Sequence, residues 1–402
     1  MTASNPTGRI VLLGATGYTG ALTARALLGH GRRPLLAARS ADKLAALAAE
    51  LAPATSEAAT AEAATAEAAT LETATLETAV VDVTDAAAVA RLVGPGDVLV
   101  TTVGPFARFG RSALDAAVGA GAAYLDSTGE PGFIREVFER YAAPARESGA
   151  VLLPAFGYDY VPGNLAGGLA VASARSAVTK VEIGYFLDAA SSRALGSGMS
   201  SGTAATLLLG MGDPGYAYRG GALVSEVMGR RHLAFPVGGS RRGAVGVGST
   251  EALSLPRVYP HLRDVGAYLG WFGPASRVLQ GLSYVLPAPG SEGRVAQASA
   301  RGRAKLAQRF LDNTGRGPDA TARAKVGTRV AALAYDRTGK VVGRAELAGG
   351  NPYAFTAEIL AWAAARAADG KIGGPGVLGP LEAFSLADLL DGVRAAGLRQ
   401  VG

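Results

Sequence analysis

The chain of 402 residues contains no cysteine and only three histidines, His30, His232 and His261. Without cysteine there are no disulfide bonds, thiolate metal ligands, iron–sulfur clusters or cysteine nucleophiles. The histidines are far apart in sequence and none forms the paired spacing of a metal-binding helix, so we expect no metal site. The missing cysteines also fit a reducing compartment.

Targeting and membrane segments are also missing from the sequence. The amino terminus lacks the basic start, apolar stretch and cleavage site of a secretory signal. No run of about 18 strongly apolar residues is free of glycine, proline and charge, so we predict no integral membrane segment and a cytoplasmic protein. Hydrophobic residues make up 49% of the chain, which excludes disorder of the whole, and the length indicates two or three domains.

The net charge of +6 is unevenly distributed. Residues 1–200 carry 15 basic and 19 acidic side chains, a net −4, whereas residues 201–402 carry 24 and 14, a net +10. The densest basic stretch is 294–329, which includes Arg301, Arg303 and Arg309. We interpret it either as a solvated surface or as a contact for an anionic partner such as a carrier protein, a coenzyme A tail or a membrane surface. No nucleic-acid-binding motif accompanies this charge, so we expect no nucleic-acid partner.

Short apolar segments alternate with helical segments over the first 125 residues, and one more helix and strand follow. Alternation of this kind predicts a parallel sheet with helices on both faces. The predicted strands are 9–13, 34–39, 80–83, 98–103, 123–126 and 150–154, and the predicted helices are 18–28, 41–51, 86–92, 111–120 and 133–148.

Five tandem pentapeptides, SEAAT AEAAT AEAAT LETAT LETAV, interrupt this alternation at 56–80. In a helix, residues five positions apart are separated by one full turn plus about 140°. The repeated glutamates would therefore spiral around the axis instead of forming one face. The segment lies between a helix and a strand, where an insertion disturbs little. We interpret it as a neutral insertion that either extends the preceding helix or has no fixed structure.

The pattern changes after about residue 127, where strands follow one another without intervening helices. Successive strands of this kind predict an antiparallel or mixed sheet. The predicted strands are 180–187, 233–236, 253–255, 265–268, 328–335 and 341–347, followed by helices 352–368 and 386–396. We therefore predict an α/β fold in which a Rossmann-type parallel sheet carries an inserted α+β mixed-sheet domain. The predicted division is 1–127 for dinucleotide binding, 128–350 for substrate and 351–402 for a C-terminal segment.

The strongest motif is GATGYTG at 14–20, which follows a predicted strand and opens a predicted helix. Gly14 allows a tight turn, Gly17 lets the backbone approach a pyrophosphate, and Gly20 permits close packing of helix and strand. The amides and dipole at the start of the helix then favour an anion. We predict a dinucleotide site that also includes the neighbouring side chains of Thr16, Tyr18 and Thr19.

The end of the second predicted strand favours NADP(H) over NAD. An NAD site carries an acid there, bonded to the ribose 2′-hydroxyl. This chain has Arg39 instead, which can pair with a 2′-phosphate, while Ser40 and Lys43 add contacts. An ordinary exposed arginine is the alternative. Further predicted contacts are Asp82 and Val83 near the adenine, and Val103, Gly104 and Pro105 near the nicotinamide ribose, where a structural turn explains Gly104 and Pro105 nearly as well.

Five segments of the first 165 residues resemble the saccharopine dehydrogenase-like family in order and spacing. They are GATGYTG at 14–20, AAR at 37–39, TTVGPFARFG at 101–110, AAYLDSTGE at 122–130 and AFGYDYVPGN at 155–164. Within that family the chain is most similar to trans-acting enoyl reductases of polyketide and lipid assembly. The resemblance implies an NADP(H)-binding domain, a mixed-sheet substrate domain and a C-terminal segment that returns to the first domain.

A reductase also needs a proton source close to the atom that accepts the hydride. Tyr124 lies at the end of the fifth predicted strand, and Tyr158 and Asp159 follow the sixth, at the edge where parallel sheets place ligands. We predict that Tyr158 or Tyr124 donates the proton and that Asp159 orients the donor or bridges the domains. The structural alternatives are Asp126 as a helix cap and Asp159 as the cap of a helix that begins at Pro162.

These residues and the resemblance predict an NADPH-dependent oxidoreductase that reduces the C=C bond of an enoyl thioester, of lipid or polyketide type. Reduction of a C=N bond in an imine and a non-catalytic NADP-binding sensor or scaffold are the alternatives. The scarcity of histidine and the absence of cysteine suit hydride transfer, because the cofactor brings the chemistry. We expect a small-molecule or carrier-bound substrate, an acyl carrier protein at 294–329, and a homodimer.

Overall fold

A computed structural model describes residues 8–63, 76–188, 214–271, 276–285 and 326–401, together with the helical residues 301–302 and 305. Two β-sheets organise these residues. The first sheet is built from β1 (Ile10–Leu13), β2 (Leu35–Ala38), β3 (Thr78–Val80), β4 (Val98–Thr101), β5 (Ala123–Asp126), β6 (Val151–Leu153) and the late strand β15 (Gly376–Val377). All of its strands are parallel, in the order β15-β6-β5-β4-β1-β2-β3.

The central strands of this sheet are entirely buried, as expected of a parallel sheet that is covered on both faces. The helices that connect its strands are α1 (Tyr18–Gly29), α2 (Ala41–Ala63), α3 (Ala86–Leu92), α4 (Phe106–Phe109), α5 (Arg111–Ala120), α6 (Pro131–Arg140) and α7 (Ala142–Ser148). The prediction of a Rossmann-type parallel sheet is therefore confirmed.

Three boundaries in this part differ from the prediction. The third strand lies at Thr78–Val80 and not at 80–83. The single helix predicted at 133–148 is wrong, because the chain forms two helices that meet at Tyr141. Helix α2 continues to Ala63, beyond its predicted end at 51 and into the first pentapeptides. The remaining pentapeptide residues, 64–75, lie outside the described residues.

The second sheet is mixed and has the order β10-β11-β12-β7-β13-β14-β16, with the hairpin β8–β9 attached to β12. Its strands are β7 (Lys180–Leu187), β8 (Pro214–Arg219), β9 (Ala222–Val227), β10 (His232–Val237), β11 (Ser240–Val247), β12 (Asp264–Leu269), β13 (Thr328–Tyr335), β14 (Val341–Gly349) and β16 (Leu398–Gln400). Strands β7 and β12 pair in parallel, and the other pairs are antiparallel. The predicted mixed sheet is thus confirmed.

Helices α8 (Val161–Ala172), α9 (Glu251–Val258) and α10 (Ser276–Val285) accompany the second sheet. Helix α8 packs on β7, β13 and β14 and contacts α9. The strand predicted at 253–255 is wrong, because these residues form the middle of α9. Three apolar or small residues fit either a strand or the buried face of a helix, and here Leu255 is buried in the core.

The C-terminal segment contacts both sheets. It contains α11 (Pro352–Ala368), α12 (Pro380–Ala383) and α13 (Leu386–Ala395). Helix α11 packs along α1 and against β1, β4 and β5, and β15 pairs with β6. The last strand, β16, pairs with β14 of the second sheet. The exact division of the chain into domains at 127 and 350 stays a prediction.

Two absences can be stated for the described part of the chain. None of its helices combines the length and the apolar character needed to cross a membrane. In the same residues, no three acidic or histidine side chains are grouped so that they could hold a metal ion.

A close approach between α8, β7 and α9 depends on a glycine. A Cβ at Gly163 would overlap the Tyr185 hydroxyl and the carboxyl of Glu251. That hydroxyl donates a 2.6 Å hydrogen bond to Oε1 of Glu251, so neither group can move without breaking a buried polar contact. Gly163 therefore allows the helix to lie directly against this pair.

We expect Gly163→Ala to destabilise the protein by about 1–3 kcal/mol, because the added methyl group overpacks this contact. The matched control is Gly119→Ala in α5, where a Cβ would meet nothing within 4 Å. Since alanine is the better helix former, the control should stabilise by about 0.5–1 kcal/mol. Chemical denaturation of both variants measures whether the free energy of unfolding falls or rises. A stabilised Gly163→Ala variant would show that the close approach is not a constraint.

Candidate cofactor site and active site

The glycine-rich segment forms a tight turn between β1 and α1. Gly14 has a φ of +88°, which favours glycine, and its N–H donates to the carbonyl of Ala37 at 2.8 Å. The N–H of Gly17 donates back to the carbonyl of Gly14 at 2.9 Å. A Cβ at Gly20 would overlap that same carbonyl oxygen. All three glycines are therefore in the places that the motif predicts.

The first turn of α1 is open to an anion. Its N-cap is Gly17, so no side chain caps the helix, and the first turn contains no acidic residue. The first N–H groups of a helix have no partner within the helix, and the dipole at this end is positive. Thr16, Tyr18 and Thr19 are half-buried beside this turn. These residues fit a dinucleotide, whose pyrophosphate would lie against the exposed N–H groups.

The ends of β2 and β3 place two predicted contacts near each other. Arg39 is exposed directly after β2, and its charge helps to lower the pKa of Asp82. The main cause of the lowered pKa is hydrogen bonding, since Asp82 accepts from the backbone N–H and the hydroxyl of Thr84 at 2.9 and 2.7 Å. No carboxylate lies at the tip of β2 itself. This end therefore presents a cation where an NAD site would present an acid.

Two of the predicted contacts at this end, Ser40 and Val83, also have structural roles. The hydroxyl of Ser40 accepts from the N–H of Lys43 at 3.4 Å, at the start of α2, whereas the Lys43 side chain is exposed. Val83 is buried, and its carbonyl accepts from the Ser112 hydroxyl at 2.7 Å. The contact of Ser40, Lys43 and Val83 with a cofactor stays a prediction.

The loop after β4 is held against the loop after β5. Gly104 is exposed, Val103 and Pro105 are half-buried, and α4 begins directly afterwards. The carboxylate of Glu130 accepts from the N–H groups of Phe106 and Ala107 at 2.7 and 2.9 Å. The two loops that flank the expected nicotinamide position are therefore joined by one side chain.

Asp126, at the end of β5, joins the loops that follow β5 and β6. Its Oδ2 accepts from the Tyr124 hydroxyl at 2.7 Å, and its Oδ1 accepts from the N–H groups of Thr128 and Ala155 at 2.9 and 2.8 Å. Its backbone carbonyl accepts from Phe156. Burial raises the pKa of Asp126 to about 6 although these hydrogen bonds lower it.

Tyr124 is fully buried, and its hydroxyl is directed at Asp126. Burial and the neighbouring carboxylate raise the pKa of Tyr124 well above its usual value. This geometry supports a structural role for Tyr124, and its selection as a proton donor stays a prediction.

Asp159 lies across from the loop after β5. Its carboxyl is half-buried and packs against Gly129, where a Cβ would lie 3.1 Å from Oδ2. Among the described residues, no hydrogen bond or ion pair to this carboxyl occurs. Burial alone raises its pKa to about 6. A carboxyl without a partner, with a pKa close to neutral, is suited to proton transfer.

Tyr158 is buried among aromatic rings of the mixed sheet and the C-terminal segment. Its ring lies 5.7 Å from Tyr185, 6.1 Å from Phe355 and 6.4 Å from Trp271. Its N–H donates to the Thr356 hydroxyl at 3.0 Å, whereas its own hydroxyl makes no hydrogen bond of good geometry among the described residues. The neighbouring Thr328 hydroxyl, which helps to lower the pKa of Tyr158, donates to the carbonyl of Gly350 at 3.0 Å. The structure thus places Tyr158 and Asp159 next to each other, close enough for the charge of Asp159 to act on the Tyr158 hydroxyl.

Three residues of this region were missed by the sequence analysis: Trp271, Thr356 and Glu251. Trp271 and Glu251 are separated from the nucleotide motifs by about a hundred residues or more, and nothing in their local pattern distinguishes them from ordinary core residues. Thr356 lies on a predicted helix, but only the packing shows that it supports Tyr158.

Most of the basic stretch 294–329 lies outside the described residues. Arg301 and Lys305 are exposed. Arg329 instead forms ion pairs with Asp188 and Glu346 at 2.9 and 2.8 Å. The end of the stretch is therefore part of the sheet structure and not a uniform surface patch.

Comparison with known proteins shows what the first part of the chain is similar to. Residues 10–153 match the family described as saccharopine dehydrogenase NADP binding domain. The chain is 35% identical over 158 residues to a trans-acting enoyl reductase of Mycobacterium bovis, and 32% identical over 158 residues to one of Mycobacterium ulcerans. Each match covers 39% of this chain and 34% of the relative, so the matched stretch spans about a third of the curated relatives' length.

The whole chain is similar in fold to a solved structure, the apo saccharopine dehydrogenase (L-Glu forming) of Saccharomyces cerevisiae. The TM-score is 0.56 and the sequence identity 14%, with 98% of this chain and 99% of that chain covered. At this identity the likeness concerns the fold alone. Together with the glycine turn and the arginine at the tip of β2, this match over residues 10–153 confirms the predicted NADP-binding domain and its similarity to that of the saccharopine dehydrogenase family.

Proposed function

We propose that this chain is an NADPH-dependent oxidoreductase that reduces the C=C bond of an enoyl thioester. The observation that carries the proposal is the Asp159 carboxyl, which has no hydrogen-bond partner in the described part of the chain and faces Gly129 at the carboxyl edge of the NADP-binding sheet. Ligands of open α/β sheets bind at this edge. The enoyl thioester is favoured because relatives that are 32% and 35% identical over 158 residues are named as trans-acting enoyl reductases.

NADPH would supply the hydride, and the chain would bind it through the turn at Gly14–Gly20 and through Arg39. Addition of a hydride to the β-carbon of an enoyl thioester leaves negative charge on the α-carbon and the carbonyl oxygen. The α-carbon then needs a proton. The Asp159 carboxyl is suited to give it, because its raised pKa keeps an acidic proton available close to neutral pH.

The tyrosines of this region are less suited to the role of proton donor. The Tyr124 hydroxyl donates a hydrogen bond to Asp126, and the Tyr185 hydroxyl donates one to Glu251. Burial raises the pKa of Tyr158 far above its usual value, so its hydroxyl is a poor acid. We therefore assign proton donation to Asp159 instead of the tyrosines that the sequence analysis favours.

NADPH oxidation tests the function. Purified protein is offered enoyl thioesters of increasing chain length and, in parallel, cyclic imines. Consumption of NADPH with enoyl thioesters and formation of the saturated acyl thioester support the proposal. Turnover of imines alone would assign C=N reduction instead. Tight NADPH binding without oxidation by either class would favour a sensor or scaffold.

A carrier protein is the partner that we propose for the substrate. Its support is the basic stretch 294–329, in which Arg301 and Lys305 are exposed. Acidic carriers would be attracted by such a surface. The same acyl group presented on an acyl carrier protein and on coenzyme A should give a higher kcat/KM for the carrier at low salt, and equal values would remove this proposal.

Reversal of charge at Arg39 should change the choice of cofactor. We expect Arg39→Asp to weaken NADPH binding by roughly 1.5–3 kcal/mol, which is about 10- to 150-fold, because a charge-assisted contact with the 2′-phosphate is lost. NADH binding should change far less. Cofactor fluorescence titration measures both affinities, with Arg91→Asp as an equal charge change on the exposed surface of α3. Equal wild-type affinities for NADPH and NADH would contradict the assignment.

The pH dependence should report the Asp159 carboxyl. A general acid must be protonated, so kcat/KM should be constant below its pKa of about 6 and fall as the pH rises above it. Asp159→Asn should lower kcat/KM by about 100-fold or more and abolish this dependence. The control is Asp391→Asn, an exposed carboxylate on α13. If Asp159→Asn retains the wild-type profile, Asp159 is not the proton donor.

A further inference from the structure

Two buried hydrogen-bond donors that face the same aromatic cluster lack partners among the described residues. They are the Tyr158 hydroxyl and the indole Nε1–H of Trp271. Only 2% of Tyr158 and 7% of Trp271 is exposed. Buried polar atoms are nearly always hydrogen-bonded, because an unpaired one costs about 1–3 kcal/mol. Two unpaired donors on neighbouring rings therefore require an explanation.

The two donors come from the two different sheets. Tyr158 follows β6 of the NADP-binding sheet, and Trp271 follows β12 of the mixed sheet. Their ring centroids are 6.4 Å apart and the rings are tilted by 37°. Tyr158 is adjacent to Asp159, the proposed proton donor. A ligand between the sheets would thus meet both donors close to the acid.

The position of Tyr158 is fixed by its neighbours. Its N–H is held by the Thr356 hydroxyl, and a Cβ at Gly157 would lie only 2.9 Å from Cγ2 of Thr356. Tyr185 and Phe355 pack edge-on against its ring. The unpaired hydroxyl is thus held in a defined place, as expected of a donor that is preorganised for a ligand.

The chemistry of the two groups selects the kind of ligand atom. An indole N–H can only donate, and a tyrosine whose burial raises its pKa far above the usual value stays protonated. Both groups therefore offer hydrogen atoms to an acceptor. A carbonyl oxygen accepts two hydrogen bonds, and this capacity increases when negative charge develops on it.

The nearby cations are already engaged, which disfavours a carboxylate ligand. Arg329 pairs with Asp188 and Glu346, and Arg242 donates to the carbonyl of Leu187 while its guanidinium lies 5.0 Å over the Phe186 ring. Neither of these two arginines is available to neutralise an anion. An uncharged carbonyl group fits these surroundings better.

We propose that the Tyr158 hydroxyl and the Trp271 indole N–H together bind the carbonyl oxygen of the substrate thioester. The inference rests on the proposed function and adds the site that recognises the thioester. When the β-carbon gains a hydride, a new C–H bond forms there, the C=C π pair becomes a double bond between the α-carbon and the carbonyl carbon, and the carbonyl π pair moves to oxygen. The two donors stabilise that oxygen. The α-carbon then takes the proton of Asp159, the carbonyl is restored, and NADPH has been oxidised to NADP⁺.

The experiment compares Tyr158→Phe and Trp271→Phe with Tyr216→Phe. Tyr216 in β8 is the matched control, because its buried hydroxyl also lacks a partner among the described residues but lies outside the proposed site. Calorimetry measures binding of a saturated acyl thioester, and of the thioether that lacks the carbonyl oxygen, to protein loaded with NADP⁺. Initial rates with an enoyl thioester give kcat/KM.

We expect wild-type protein to bind the thioester more tightly than the thioether. Each of the two site variants should lose about 5- to 10-fold in thioester affinity and about 100-fold in kcat/KM, whereas thioether and NADPH affinities stay unchanged. Tyr216→Phe should match the wild type in all of these. If Trp271→Phe does not fold, Tyr158→Phe, which removes a single oxygen atom, decides the result.

The outcomes separate the inference from the proposed function. If the protein reduces enoyl thioesters and both site variants behave like Tyr216→Phe, the function stands and the donor pair is overturned. If no enoyl thioester is reduced, but the preference for thioester over thioether exists and is lost in both variants, the donor pair stands and the function fails. Equal wild-type binding of thioester and thioether overturns the donor pair in every case.

Discussion

The carboxyl group of Asp126 holds together the loops at the carboxyl edge of the NADP-binding sheet. It accepts hydrogen bonds from Tyr124 on its own strand, from Thr128 in the loop after β5 and from Ala155 in the loop after β6. The first loop leads to Glu130, which holds the start of α4, and the second carries Tyr158 and Asp159. One buried side chain therefore sets the distance between the expected nicotinamide position and the proposed proton donor.

The mixed sheet depends on a second buried pair, Tyr185 and Glu251, which lies against Gly163. Tyr185 also packs edge-on against Tyr158, so the pair supports the loop that Asp126 holds from the other side. The C-terminal helix α11 completes the support through Thr356. Because each contact comes from a different part of the chain, the site exists only when both sheets and the returning segment are folded together.

The part of the site that could be predicted from the sequence is the part made by local segments. The glycine turn and Arg39 lie within one βαβ unit, where spacing along the chain fixes spacing in space. The donor Trp271 could not be found in this way, because it reaches Tyr158 only through the pairing of β12 with β7. The errors at 133–148 and 253–255 have a similar cause: apolar periodicity shows that a segment is buried, but not where a helix breaks or which partner covers it.

Three buried or half-buried carboxyls show how the same pKa direction can accompany different roles. Burial raises the pKa of Asp126 and of Asp159 to about 6, and that of Glu251 to about 7. A carboxyl whose pKa is higher in the folded than in the unfolded state keeps its proton longer when folded. The free energy of unfolding therefore falls as the pH rises through the folded-state pKa, so each of these carboxyls lowers stability at neutral pH. Asp126 and Glu251 offset this through hydrogen bonds that position loops and helices. Asp159 has no such bonds among the described residues, and this difference from Asp126 and Glu251 is the reason for proposing that it transfers a proton.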